Sequence, residues 1–180
     1  MTVGDFWEQQ EFSSIETYSF NRGEKLDALR GAAKSIFQAT RSSLLTASKN
    51  QLPALREQLR LLERTYDLDQ LPLTQGPEAF HITASPGARV EKGMEAIQAL
   101  ATILQVPVVN QCHWMCAPVY RDALAFYDTQ NRLTNVLNVC FSCDQMSTAN
   151  GQQIEADTTT YQTLRAYLVQ LGHPIANGEH

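Results

Sequence analysis

Apolar residues recur along this chain with two periods, and the switches between them outline its elements. Ser14 to Phe20 reads as a short strand with Ile15, Tyr18 and Phe20 as its bulky members, broken by Asn21-Arg22-Gly23. From Glu24 to Leu45 the apolar residues fall at Leu26, Leu29, Ala33, Ile36, Phe37, Leu44 and Leu45. Steps of three, four and seven are those of one helix face. A second helix is predicted from Pro53, with Leu55, Leu59, Leu62 and Tyr66 on one side. Asp67 to Pro77 reads as loop. Ala79 to Ala84 alternates and predicts a strand, and Ser85-Pro86-Gly87 a turn. Val90 to Gln105 predicts a helix whose first turn Gly93 weakens. Val106 to Asn110 is a short extended piece.

Asp122 to Asp128 and Arg132 to Phe141, separated by Thr129-Gln130-Asn131, predict a β-hairpin. Met146 to Ala156 reads as polar loop. Thr158 to Leu171 predicts a last helix, capped by Asp157 and ended by Gly172. Strand–helix alternation is irregular and the adjacent strand pair is antiparallel. The expected fold is therefore α+β: one domain over 1–180, with a small, mostly antiparallel sheet flanked by about four helices. A basic helical pair occupies 22–66, and the sheet, the cysteines and the terminal helix occupy 79–175.

Composition narrows the class. An apolar fraction of 43% with 18% charged residues excludes disorder over most of the chain. No apolar run reaches the roughly 20 residues of a membrane span. A net charge of −5 argues against nucleic acid as the partner of the whole chain. The charge is uneven, however. Arg22 to Arg64 holds nine basic residues against four acidic ones, a net +5. Arg30 and Lys34 share a helix flank, as do Arg56, Arg60 and Arg64, so an acidic protein partner is one reading of this stripe. A solvated outer helix face is the plainer one. Met1 to Phe12 has no basic residue and no apolar stretch, so the chain as it stands reads as cytoplasmic. It reads as exported if a leader has been removed ahead of Met1.

All four cysteines lie between Cys112 and Cys143, spaced Cys112-x3-Cys116-x23-Cys140-x2-Cys143, with His113 among them. If the hairpin turn centres on Gln130 and Asn131, Cys140 falls opposite Tyr120 or Arg121. Cys143 then falls opposite Ala117 or Pro118. Cys116, Cys140 and Cys143 should gather at the open end of the hairpin, with Cys112 and His113 entering from the preceding segment. Three chemistries fit. Soft ligands at a hairpin base could hold a metal, zinc by default. Cys140-Phe141-Ser142-Cys143 could be a redox dithiol, or Cys116 could form a disulfide with Cys140 or Cys143. Buried cysteines can also be small hydrophobes filling a core.

The stretch from Cys116 through Phe126-Tyr127-Asp128, with Asn138-Val139-Cys140-Phe141-Ser142-Cys143, resembles a family of uncharacterised bacterial proteins. Their pattern is a cysteine, a Pro-Arg pair, a strand ending Phe-Tyr-Asp, a turn and a strand ending Cys-Phe-x-Cys. Here Pro118 and Arg121 are split by two residues, and the turn lacks the family's Gly-Lys. The resemblance covers about thirty residues. It implies the hairpin and three of the cysteines, with no counterpart for Cys112, and it implies no reaction. Family members often carry export leaders.

Elsewhere there is no nucleophile elbow, phosphate-binding glycine loop, zinc-protease helix or dinucleotide fingerprint. His81 reads as a core or surface residue, His173 as a partner of helix-end carbonyls, and Asp128 as a turn residue. A Cys–His pair drawn from Cys116 or Cys140 with His113 or His81 can be written, but nothing in the sequence orients it. The sequence reading is a non-enzymatic protein with a zinc-binding cluster formed by Cys116, Cys140, Cys143, Cys112 and His113. Its alternatives are a thiol–disulfide or cysteine-dependent enzyme and an interaction module with a basic helical face.

Overall fold

The structure is a computed structural model. It describes residues 1–65, 72–74, 79–111 and 116–176, and within the helix over 52–65 the side chains as far as residue 61. The chain divides into two compact units, 1–20 with 70–180, and 21–69.

The larger unit is built on a six-stranded antiparallel sheet. Its strands are β1 (Ser14–Ser19), β2 (Ser85–Glu91), β3 (Asp122–Tyr127), β4 (Leu133–Cys140), β5 (Gln145–Thr148) and β6 (Gln153–Ile154), in the order β2-β1-β3-β4-β5-β6. Its helices are α1 (Val3–Glu8), α4 (Glu95–Leu104) and α5 (Thr158–Gln170). The α+β class and the antiparallel sheet are as the sequence predicts. β3 is central and buried at all six positions, so both of its faces are covered. Leu124 and Phe126 join the helices on one face, against Phe6, Leu100, Leu104 and Leu164. Ala123, Ala125 and Tyr127 point to a second cluster with Tyr18, Phe20, Leu73, Val136, Cys140 and Cys143. Alternate residues of one strand thus serve two cores, as the two-residue repeat of a strand requires. The edge strand β2 is mostly exposed and carries Pro86, a residue that suits an edge because it cannot donate to a neighbouring strand.

Three expectations are corrected, and one further helix is found. The strand lies over Ser85–Glu91 and not over 79–84, so Ser85-Pro86-Gly87 is strand instead of turn. Pairing with the buried strand β1 outweighs the local turn signal of Pro and Gly. Val90 belongs to that strand, and Gly93, at φ 93°, turns the chain into a shorter helix that starts at Glu95. The polar stretch after Met146 contains β5 and β6, whose backbone bonds to the sheet are indifferent to side-chain polarity. The N-terminal segment forms α1 through a capping box in which Thr2 Oγ1 accepts from the Asp5 amide and Asp5 accepts from the Thr2 amide.

The smaller unit is a helical pair, α2 (Gly23–Ser43) and α3 (Leu52–Thr65), with the bounds the periodicity predicts to within two residues. Its half-buried apolar residues include Leu29, Ala33 and Phe37 on α2 and Leu52, Leu55 and Leu59 on α3. Among the described residues no helix is long and apolar enough to cross a membrane.

Candidate functional site

The β3–β4 hairpin positions the cysteines. Its tight end is held by one carboxylate. Asp128 Oδ1 accepts the amides of Gln130 (2.8 Å) and Arg132 (2.9 Å), while Oδ2 accepts Arg132 Nε (2.8 Å). The Arg132 amide and guanidinium and the Gln130 amide hold the Asp128 carboxyl below the ordinary carboxylate range. Asn131 takes the left-handed conformation the turn needs, at φ 59°. The register then runs Phe126↔Asn135, Leu124↔Leu137 and Asp122↔Val139, the pairing predicted from the turn. The Arg121 amide donates to the Val139 carbonyl (3.3 Å) and carries the alignment past the end of β3.

At the open end, residues 141–144 turn β4 into β5, with Cys140 aligned to Gln145 and Asp144 at φ 48°. Cys143 lies in this turn. Cys116, on the segment leading to β3, lies with its sulfur at disulfide distance from that of Cys143, and the two Cα atoms are 6.3 Å apart. That spacing is within the range a bridge spans. Gln145 Nε2 donates to the Cys116 carbonyl (3.4 Å). The two ends of the pair differ in access: Cys116 is exposed, whereas Cys143 is 4% exposed. Cys140 is a free thiol, 1% exposed, in the same apolar cluster as Cys143. The Ser142 hydroxyl lies 3.3 Å from Cys140 Sγ and 4.0 Å from Cys143 Sγ. Burial pushes the nearby Asp144 carboxyl above its ordinary range, and burial also pushes the Tyr120 phenol up.

Of the five residues named as metal ligands, Cys116 and Cys143 meet at the hairpin's open end, and Cys140 shares the apolar cluster of Cys143. Cys112 and His113 lie outside the described residues. Among the described residues no group of three or more His, Cys, Asp or Glu side chains could hold a metal ion. The zinc expectation thus finds no support, because Cys143 is directed at Cys116 and Cys140 at the apolar cluster. His81 is buried; its Nδ1 is 2.8 Å from Thr83 Oγ1 and its ring packs against Phe20.

The basic stripe keeps its predicted exposure. Arg30, Lys34, Arg56 and Arg60 are all exposed on α2 and α3, and Arg64 falls among the side chains not described. Arg60 donates to both oxygens of Glu57 (2.8 and 2.6 Å), which raises its pKa further.

A second polar cluster escapes sequence reading. His173 follows α5, but its ring does not turn back to the helix carbonyls as expected. Nδ1 lies 2.7 Å from Asp122 Oδ1, with the two side chains 1% and 0% exposed. Thr17 Oγ1, Ser19 Oγ and His173 Nε2 are buried and have no hydrogen-bond partner among the described residues. Gly87 lets them approach: a Cβ on residue 87 would lie 2.6 Å from Thr17 Oγ1 and 3.0 Å from His173 Nε2. These residues are scattered from 17 to 173, so no motif spacing could have found them. The one local signal was Gly172, at φ 91°, which ends α5 and directs His173 back toward the sheet.

No family model, curated protein or solved structure matches this chain.

Proposed function

We propose that this protein is a non-catalytic binding module whose sheet is braced by a Cys116–Cys143 disulfide, and that it works where that bond persists. The single observation that carries this is the pair at disulfide distance across the hairpin's open end. A bond there ties the approach to β3 to the turn after β4, so both strands are held at the end where the tight turn cannot reach. Such bonds persist in oxidising compartments. The decisive measurement is an intact mass without reductant. A mass about 2 Da below the reduced chain, with a Cys116–Cys143 linked peptide, supports the brace. A gain of about 63 Da would instead mean bound zinc and would overturn it.

The exposed Arg30, Lys34, Arg56 and Arg60 favour an acidic protein as the partner. Retention of the full chain on immobilised polyglutamate is expected to weaken with salt and to fall in the double variant Arg56→Glu, Arg60→Glu. Unchanged, salt-independent retention would remove the helical face from the proposal.

A further inference from the structure

We propose that Cys140 is an internal attacking thiol that transfers the bond from Cys116 to itself and leaves Cys116 as a surface nucleophile. The inference rests on the Cys116–Cys143 bond of the preceding reading. The three sulfurs sit in graded positions. Cys140 and Cys143 are both buried and belong to one apolar cluster, while Cys116 is exposed. The Ser142 hydroxyl lies 3.3 Å from Cys140 Sγ and 4.0 Å from Cys143 Sγ, so both sulfurs border the same side chain. Cys140-x-x-Cys143 is moreover a spacing that closes a disulfide within one turn. The buried end of the bond and the Cys140 thiol thus share one apolar cluster and one hydroxyl neighbour, and the departing end lies on an exposed residue.

The step balances without an external oxidant. The Cys140 thiol gives up its proton, with the Ser142 hydroxyl as the adjacent acceptor and donor on the way to solvent. The Cys140 sulfur attacks Cys143 Sγ, and the Cys140–Cys143 bond forms as the Cys116–Cys143 bond breaks. The electron pair leaves on Cys116, which takes up a proton from water. Among Cys116, Cys140 and Cys143, one disulfide and one thiol remain, as before the step. The thiol now lies on an exposed segment, free to form a mixed disulfide with an external disulfide. The segment before β3 is released from the turn by the same event.

The test uses the full chain, prepared without reductant and mapped by peptic digestion in acid, where exchange is frozen. A Cys116–Cys143 link at zero time establishes the starting bond. Its absence would overturn the brace itself and is read separately. The native protein is then held with iodoacetamide at several pH values. The expected result is alkylation at Cys116 together with a new Cys140–Cys143 link, faster at higher pH because the thiolate is the attacking form in thiol–disulfide exchange. Retention of the Cys116–Cys143 link with Cys116 unlabelled, under conditions that label Cys140 after unfolding, would overturn the proposal. In Cys140→Ser, labelling of Cys116 is expected to fall at least tenfold. Labelling at the wild-type rate would name another attacker and reject Cys140. Should that variant fold poorly, the wild-type map alone still decides.

Discussion

The two compact units solve the burial problem differently. In the sheet unit, Phe6, Ile15, Leu100, Leu124, Phe126, Leu137, Leu164 and others are closed off completely or almost so from solvent. In the helical pair, α2 buries Leu26 and Thr40, and none of the described side chains of α3 is buried. The sheet unit has layers on both faces of a strand, so a side chain on β3 meets packed neighbours whichever way it points. Two helices side by side give each residue a neighbour on one flank and water on the other. Most of the fully buried apolar side chains therefore lie in the sheet unit, and the helices carry exposed charge.

The sharpest way to break this comparison is a matched pair of truncations. Phe126 packs edge-on against Phe6 and Phe12, with ring centroids 5.6 Å apart in each case. Phe126→Ala should cost about 4 kcal/mol of unfolding free energy in urea titrations. Leu59→Ala on α3 should cost about 1 kcal/mol. Equal losses would mean that the helical pair is as well packed as the sheet.

Next comes the bond. Cys116 and Cys143 are 27 residues apart in sequence, and closing a loop of that size restricts the unfolded chain by about 3.5 kcal/mol. Cys143→Ser should show that loss without reductant and almost none with it. Hydrogen exchange should quicken in β3 and β4 while the helical pair stays as it was.

Gly87→Ala is expected to cost about 2 kcal/mol, because the new methyl group overlaps Thr17 Oγ1 and crowds the Thr17 carbonyl, which would lie 3.3 Å away. Adding Thr17→Ala to the same chain should recover part of the loss, since the hydroxyl is then gone. Additive effects would mean that the two residues do not meet.

The smallest effects are read by pH, and their signs oppose. Asp157 caps α5 and accepts the amides of Asn110 (2.7 Å), Val109 (3.0 Å) and Thr159 (2.9 Å). Those bonds, the Asn110 amide first, hold its carboxyl far below the ordinary range. Its stabilisation is complete above the unfolded carboxylate pKa of about 3.9 and is lost as pH falls toward the depressed folded value. Asp157→Ala should lower the melting midpoint at neutral pH by on the order of 5 °C, and the gap should close in acid. Asp144 is raised by burial, so its charged form opposes folding at neutral pH. Asp144→Asn, which keeps the left-handed backbone accessible, should raise the midpoint at pH 7 and have no effect below pH of about 4.

Periodicity and turn chemistry by themselves determined the helical pair, α5 with its Asp157 cap, the β3–β4 hairpin and its register. The register in turn placed Cys143 opposite Ala117 or Pro118, one or two residues from Cys116. These are local signals: a helix face, a cap, and a turn from which pairing can be counted outward. Which sulfurs come to disulfide distance was decided only in three dimensions, because three cysteines at one hairpin end can pair in several ways and the depth of each is set by the layers around it. The placement of β2 over a Pro-Gly sequence, and of β5 and β6 over polar residues, also came from neighbours in the sheet, which offer backbone bonds regardless of side chain. The His173–Asp122 contact is the clearest case. It joins the end of α5 to the start of β3, and beyond the helix stop at Gly172 no nearby residue of either partner announces the other.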